Sequence, residues 1–333
     1  MTESVLIIYN DVEKDILNRE SNAGVLDEVG AVTDVLEKLG FDYDVVSIGH
    51  IKQLPDVLDS NSHRIVFNLV EELPDSILDA CYVPAICSAH GRTCTGGDTP
   101  ALLLAQDKWK TKAVLRAADI PCPQGVIVPL GRKISTTGLA PGRYIVKPVL
   151  SDASEGISPS SVVELPGNAL HKAVDRIHME CRQPALVEQF IAQRELNVSV
   201  LQLNGEVEVL PIAEIDFAAF DDDRPRIVDY DAKWRTDSFA YNNTPRIIPA
   251  HLSDCLAQLV RRCALAAWYE IGCRDYARVD FRMDDKDNVF VLEINLNPDI
   301  SPDAGFAVAL EVGGIIYQEF IDMLINNALL RLG

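Results

Sequence analysis

Two short segments near the end of the chain alternate so strictly that little except a β-hairpin can hold them. Arg278-Val279-Asp280-Phe281 and Val291-Leu292-Glu293-Ile294-Asn295 each place polar and apolar residues in turn, with the polar stretch 284–288 between them. Side chains two apart on a strand share a face, so the pattern predicts an antiparallel pair with a turn at 284–288. A register that sets Asp280 opposite Glu293 also sets Arg278 opposite Asn295. The four polar groups then occupy one face, and Val279, Phe281, Leu292 and Ile294 point to the other. Carboxylates facing each other across a ladder repel. A divalent cation between them removes that cost, and such oxygen ligands suit Mg²⁺ held by one or two carboxylates together with substrate phosphates. The plainer alternative is a solvated polar face beside an ordinary core.

The rest of the chain reads as strand alternating with helix. Residues 4–9 form a buried strand, an amphipathic helix spans about 23–40 and stops at Gly40, and strands follow at Tyr43–Ile48 and Arg64–Leu69. That order indicates an α/β unit on a parallel sheet. It is not a dinucleotide site, because the first strand runs into Asn10-Asp11-Val12-Glu13 rather than a G-x-G-x-x-G turn. The turn-rich stretch 93–100 leads into a helix over about 99–118, ended by Asp119-Ile120-Pro121. A smaller α/β unit around the strand Tyr144–Val146 runs to about 187. Strands at Ala185–Phe190 and Asn197–Leu203 come next, the second paired with Val207–Leu210 through Asn204-Gly205. An acidic, aromatic-rich stretch, 217–245, is long enough to mark a functional or disordered loop. A helix at 251–271, the hairpin and a C-terminal helix from about 313 complete the order. The expected division is an N-terminal unit over 1–98, a central unit over 99–187 and a C-terminal unit over 188–333.

Composition narrows the partners. Fifty acidic residues against thirty basic ones give a net charge of −20, which argues against nucleic acid or an anionic membrane, since phosphate contacts need clustered Lys and Arg. A small phosphate ligand is still allowed, because screening over roughly 8 Å lets a few lysines dominate a cleft. The start has no basic region ahead of its short apolar run, and no stretch approaches the roughly 20 apolar residues of a membrane span. A cytoplasmic location is expected. The eight cysteines contain no CxxC pair. With Cys87, Cys255 and Cys263 in apolar or helical surroundings, they read as buried reduced thiols. The six histidines are scattered without metal-ligand spacing.

Lysines supply the second signal. Lys147 closes the strand Tyr144-Ile145-Val146 ahead of Pro148, and a small-residue loop over 150–158 follows that could cover phosphates. Alone, a lysine ending a strand usually snorkels to solvent. Lys108 in Gln106-Asp107-Lys108-Trp109 and Lys233 in Asp231-Ala232-Lys233-Trp234 are equally ambiguous singly.

Taken together, these residues resemble the ATP-grasp superfamily, and within it the D-alanine–D-alanine ligase family. The motifs occur in the family's order: Asp107-Lys108 with Lys112, Val146-Lys147-Pro148, the 150–158 loop, Val187-Glu188-Gln189-Phe190-Ile191 with Arg194-Glu195, Tyr230 to Trp234, Arg278-Val279-Asp280, and Glu293-Ile294-Asn295. They cover residues 93–333 well, and the first 90 or so only in their α/β pattern. The resemblance implies an N-terminal Rossmann-like unit, a small α/β lid and a C-terminal ATP-grasp unit. It implies that Lys108, Lys147 and Ser154 contact ATP phosphates and that Lys233 reaches the γ-phosphate. Glu188, Gln189, Phe190 and Ile191 would form the adenine hinge, with Glu195 on the ribose. Asp280, Glu293 and Asn295 would hold two Mg²⁺ ions, Mn²⁺ being an alternative. Arg278, with Lys233 and Ser154, would serve catalysis. A homodimer is implied by the resemblance alone.

Several positions depart from the family pattern. The aligned serine pair of the loop is Ala153 and Ser154, and the tyrosine after the γ-phosphate lysine is Trp234. After Asn295 the chain reads Leu296-Asn297-Pro298-Asp299-Ile300-Ser301-Pro302-Asp303-Ala304-Gly305. Asp299 replaces a glycine, and Ala304 stands where a serine would bind the acceptor's carboxylate. Asp299, Asp303, Ala304 and Gly305 are therefore the candidate substrate positions. Two carboxylates there would repel a third or recognise a cationic acceptor; ordinary use of Asp in turns is the alternative. The family's N-terminal ammonium-binding glutamate motif is absent. Glu20 and Glu28 are weak substitutes that read more naturally as a solvated helix face. The expected activity is ATP-dependent ligation of a carboxylate to an amine through an acyl phosphate, on small-molecule substrates that need not be two D-alanines. D-alanine–D-alanine ligation itself, a phosphotransferase, and a non-catalytic nucleotide-binding protein are the alternatives.

Overall fold

The first strand is covered on both faces, and the N-terminal architecture follows from that. In β1 (Ser4–Asn10), Val5, Leu6, Ile7 and Ile8 are all inaccessible, as expected for a parallel strand with helices on either side. The computed structural model describes residues 4–12, 19–74, 76–152 and 154–332, apart from the side chains of 19–23. Helix α1 (Arg19–Leu39) ends at Gly40, whose φ of 76° places it in the left-handed region that closes helices at no steric cost. It leads to β2 (Asp42–Ile48), and α2 (Leu54–Asp59) leads to β3 (Ile65–Leu69). Then α3 (Val83–Ala89) precedes β4 (Thr93–Cys94). The four strands form a parallel sheet in the order β2-β1-β3-β4.

The expected helix over 99–118 is two helices. Helix α4 (Thr99–Gln106) stops at Asp107, whose extended backbone and carboxylate cap α5 (Lys108–Ala117) by accepting the N–H groups of Trp109 and Lys110. Aspartate gives an N-cap its best acceptor, and the break turns Lys108 and Lys112 inward. A second sheet, antiparallel, has the order β5-β8-β6-β7: β5 (Gly125–Val128), β6 (Gly142–Pro148), β7 (Val162–Leu165) and, after α6 (Ala169–Arg176), β8 (Ala185–Gln189).

The third sheet carries the hairpin. It contains β9 (Arg194–Leu203), β10 (Glu206–Val209), β11 (Ala213–Ile215), β12 (Arg246–Ile247), β13 (Tyr276–Met283) and β14 (Val289–Asn295), with β9 and β13 at its centre. The turn between β9 and β10 is Asn204-Gly205 with φ of 52° and 86°, the two positive angles a tight hairpin needs. The stretch 217–245 is not structureless. It holds α7 (Tyr230–Trp234) and α8 (Phe239–Asn242) around a small cluster of Phe217, Phe220, Ala232 and Ala240. Helix α9 (Asp254–Ile271) is capped by Ser253 and ended by Gly272. The expected C-terminal helix is α11 (Tyr317–Leu330), and it is preceded by a short helix the sequence pattern did not predict, α10 (Gly305–Val312). Cys87 is buried and Cys263 half-buried, but Cys255, on the outer side of α9, is exposed; the helical context did not imply burial there. Among the described residues no helix is long and apolar enough to cross a membrane.

The hydrophobic core runs between the sheets. Val5, Ile7, Ile65 and Phe67 of the first sheet pack with α1, with Phe306 of α10, and with Phe320 and Leu324 of α11. Tyr276 of β13 joins them, its ring edge-on to Phe306 and Phe320. At the edge of this core lies Asp275, fully buried. Its carboxylate takes two hydrogen bonds of 2.8 Å from Arg331, just beyond α11, and a third from the N–H of Gly96. Arg331 also donates to the carbonyl of Cys94. One carboxylate thus fastens the chain's end to β4 and to the third sheet. Asp275 is buried while Arg331 is partly exposed, so removing the arginine leaves a buried carboxylate short of partners at a cost of roughly 1–3 kcal/mol. Arg331→Met is expected to lower the urea midpoint by a corresponding amount, and an unchanged midpoint in equilibrium unfolding would refute the assignment.

Candidate active site

The register of the hairpin is the one read from its alternation: Asp280 faces Glu293 and Arg278 faces Asn295. One detail differs. A bulge after Asp280 sets Phe281 against Val291 and leaves Leu292 out of the ladder, so Leu292 lines the cleft instead of joining the core with Val279, Phe281 and Ile294. A bulge inserts one unpaired residue and re-aims its neighbours. Here it frees the Leu292 carbonyl, which accepts from Nζ of Lys112.

The polar face of the hairpin is the floor of a cleft of about 650 Å³ between the three sheets. Most of the site residues singled out in the sequence line it: Lys108, Lys147, Ser154, Glu188, Gln189, Phe190, Ile191, Glu195, Lys233, Arg278, Asp280, Glu293, Asn295, Asp299, Asp303, Ala304 and Gly305; Lys112 and Glu28 lie behind its wall. The lining residues come from ten separate stretches of chain, so only folding could assemble them. Ala153 lies outside the described residues.

Charge in the floor is closely compensated. Arg278 makes a two-pronged contact with Asp280, both bonds 2.8 Å. Fork geometry of this kind is the strong form of an ion pair, and Asp280 outweighs burial to hold the guanidinium above its usual range. Asn197, directly across β9 from Asp280, donates to the same carboxylate at 2.9 Å. Burial alone would raise the carboxyl of Glu293, but Lys108, Lys147 and Arg278 outweigh it and hold it at about 2. Lys108 lies 3.5 Å from Glu293. Glu188, wholly buried, sits between Lys147 at 2.6 Å and Lys112 at 3.3 Å. Those lysines overcome its burial and keep it below the usual carboxylate range. Its cross-strand neighbour is Gly125, where a Cβ would lie 2.5 Å from the carbonyl oxygen of Val187 and 2.9 Å from the Cβ of Glu188. Glycine is required for the strands to close there.

Two segments roof the cleft and touch each other. Ser154, at a φ of 63°, donates its hydroxyl to the carbonyl of Val228 at 2.8 Å. Lys233, on α7, lies 5.2 Å from the Trp234 ring centre, a cation–π distance.

The opposite end of the cleft corrects the reading of Glu28. It is buried, not solvated, and accepts the N–H of Ile300 at 2.7 Å. Burial, then Glu71 and Asp299, raise its carboxyl well above the usual range. The side chain of Glu20 lies outside the described residues. Glu71, past the end of β3, is exposed at the cleft mouth, where desolvation by the cleft walls and then Asp299 push its carboxyl up to about 8. Sequence reading passed over Glu71, Asn197 and Arg282. Asn197 was recoverable from the alternation of β9 against β13, whereas Glu71 had no signal beyond its position after a strand.

Comparison with known proteins agrees with this geometry. A family model described as D-ala D-ala ligase C-terminus matches residues 140–326. An uncharacterised protein of Sinorhizobium fredii is 32% identical over 82% of this chain and 77% of its own. The D-alanine–D-alanine ligase of Thermotoga sp. (strain RQ2) is 28% identical over 91% of each chain. The crystal structure of the D-alanine–D-alanine ligase from Bacillus anthracis complexed with ATP superposes with a TM-score of 0.78 at 17% identity, covering 99% of both chains. The fold and its relatives define an ATP-grasp enzyme of the carboxylate–amine ligase class. The chain belongs to the D-alanine–D-alanine ligase family.

The raised carboxyls predict a pH effect. A folded-state pKa near 8 for Glu71, against about 4.5 unfolded, means that its contribution is present below pH 4.5 and lost as pH rises through 8. Glu71→Gln is expected to match the wild type in denaturant midpoint near pH 4.5 and to exceed it at pH 8. Equal differences at both pH values would rule the raised carboxyl out.

Proposed function

We propose that the cleft binds ATP and Mg²⁺, phosphorylates a substrate carboxylate and passes its acyl group to an amine. The observation that carries this reading is the convergence of Lys108, Lys147, Lys233 and Arg278 with Asp280, Glu293 and Asn295 in one cleft. A carboxylate is a poor electrophile. Its oxygen attacks the γ-phosphorus, ADP leaves, and the acyl phosphate then has a good leaving group. An unprotonated amine attacks the acyl carbon, phosphate departs, and the nitrogen gives up a proton. Such transfers are chiefly a matter of positioning and electrostatic stabilisation. Lys108 and Lys147 would contact the phosphates of the bound nucleotide, and Lys233, on the roof, would reach the γ-phosphate. Arg278 stabilises the developing charge on the acyl oxygen. Glu188 to Ile191 border the adenine, and Glu195 takes the ribose.

The donor set of Asp280, Glu293 and Asn295 suits Mg²⁺, because it is all oxygen and Glu293 stays ionised far below neutral pH. Bound there, the ion would offset charge on the transferring phosphoryl group. The roof, built from the stretch around Ser154 and from 217–245, would keep water from the acyl phosphate. Substrates are small amino acids or related carboxylates and amines. Ala304 caps α10 with no side-chain hydrogen bond, and Asp299 and Asp303 share that end of the cleft with Arg246, whose guanidinium lies against Gly305. These features favour an acceptor other than D-alanine.

Release of ADP and phosphate from ATP and Mg²⁺, screened with D- and L-amino acids singly and in pairs with mass detection of products, tests the reading. Amine-dependent release with an amide product is expected, and phosphate transfer without amide formation would overturn it. Efficient formation of D-alanyl-D-alanine would overturn the acceptor assignment alone. Glu293→Gln is expected to lower turnover by about 10²-fold or more, and metal-dependent turnover at the wild-type rate would remove the proposed metal site.

A further inference from the structure

Arg282 takes no part in the chemistry above, yet its charged side chain is buried in the cleft wall at 3% exposure. It sits on β13 directly across from Glu195 on β9. Nη1 lies 3.5 Å from the Glu195 carboxylate and, although inaccessible, has no hydrogen-bond partner. Nη2 donates to the carbonyl of Arg226 in the roof segment. The guanidinium also lies 5.6 Å from the ring centre of Phe190, in the stretch bordering the adenine, and 5.7 Å from that of Phe217 in the roof. Arg226 in turn donates to the side chain of Gln193, at 3.2 Å, just before β9.

A guanidinium in this position is costly. Desolvation without full hydrogen bonding is unfavourable, and an apolar side chain of similar length would fill the same space without that cost. What the arginine adds is connection: one planar group touches the carboxylate of Glu195, the adenine-bordering stretch and the roof. Its unpaired Nη1 lies 3.5 Å from a Glu195 carboxylate oxygen without a hydrogen bond, so a small movement of Glu195 would complete the pair. A ligand hydroxyl drawing on the other carboxylate oxygen supplies a reason for that movement.

We propose that Arg282 is a nucleotide-positioning residue, which holds Glu195 toward the ribose hydroxyls and ties that contact to the roof through Phe217 and the Arg226 carbonyl. The inference rests on the reading of Glu195 as the ribose ligand.

Calorimetric binding of ATP and of 2′,3′-dideoxy-ATP, each with Mg²⁺, tests both and needs no knowledge of the acceptor. Wild-type protein is expected to bind ATP at least tenfold more tightly than the dideoxy analogue. Arg282→Met should weaken ATP about tenfold, leave the analogue nearly unchanged and bring the ratio close to one. Arg282→Lys, which keeps the charge but not the two-pronged reach, should fall between. A purely structural role would weaken both nucleotides alike, and that result overturns the proposal. Glu195→Gln separates the two claims: if it preserves the wild-type ratio, the ribose reading fails and the proposal with it. If Glu195→Gln abolishes the ratio while Arg282→Met preserves it, the proposal alone fails. Should Arg282→Met not fold, an unchanged ratio in Arg282→Lys has the same force.

Discussion

A buried carboxylate held between two lysines underlies the geometry of the cleft. Glu188 belongs to the second sheet, Lys147 to the neighbouring strand of that sheet, and Lys112 to a helix whose ammonium also reaches the Leu292 carbonyl in the third. Removing any member would strand a buried charge, a far larger penalty than the loss of a surface pair. The three groups therefore fix how the second sheet lies over the third. Everything that faces the cleft inherits that placement: Lys147 and Lys108 point inward because their carboxylate partners are there. The hairpin floor can carry Asp280 and Glu293 side by side because Arg278 and Lys108 already offset them.

The legible parts of this molecule were those in which chemistry and periodicity coincide. Alternation in 278–281 and 291–295 set the polar face and the register at Asp280–Glu293 and Arg278–Asn295, since a slip of one residue there would bury the carboxylates. Asn204-Gly205 specified its hairpin through two positive φ angles. The parts that escaped were settled by tertiary contact. The break at Asp107 does not show in helical periodicity; it arises from a carboxylate capping the next helix, and Asp107 reads equally well mid-helix. Glu28 lies on a helix whose pattern allows a polar face, and only the arrival of Ile300 from the far end of the chain buries it. Leu292 left its expected face because of a bulge, a one-residue event that alternation cannot announce.

The roof illustrates how function was half visible. Length, acidity and aromatic content marked 217–245 as more than a connector. Its small core of Phe217, Phe220, Ala232 and Ala240, with Arg224 over the rings of Phe220 and Phe239, gives it an internal framework. That packing ties α7 and Lys233 to the residues that touch Ser154 and Arg282.

Gly125 shows a different kind of requirement. It bears no charge, donates to no ligand and lies outside every motif, yet a methyl group there would collide with the backbone of the strand that presents Glu188. The electrostatic centre is thus guarded by an empty volume. Searches for function that weigh only reactive side chains would pass over this position, although any L-residue introduced there would have to push the carboxylate's own strand aside. In this enzyme the space kept vacant is as much a determinant of the active site as the charges that surround it.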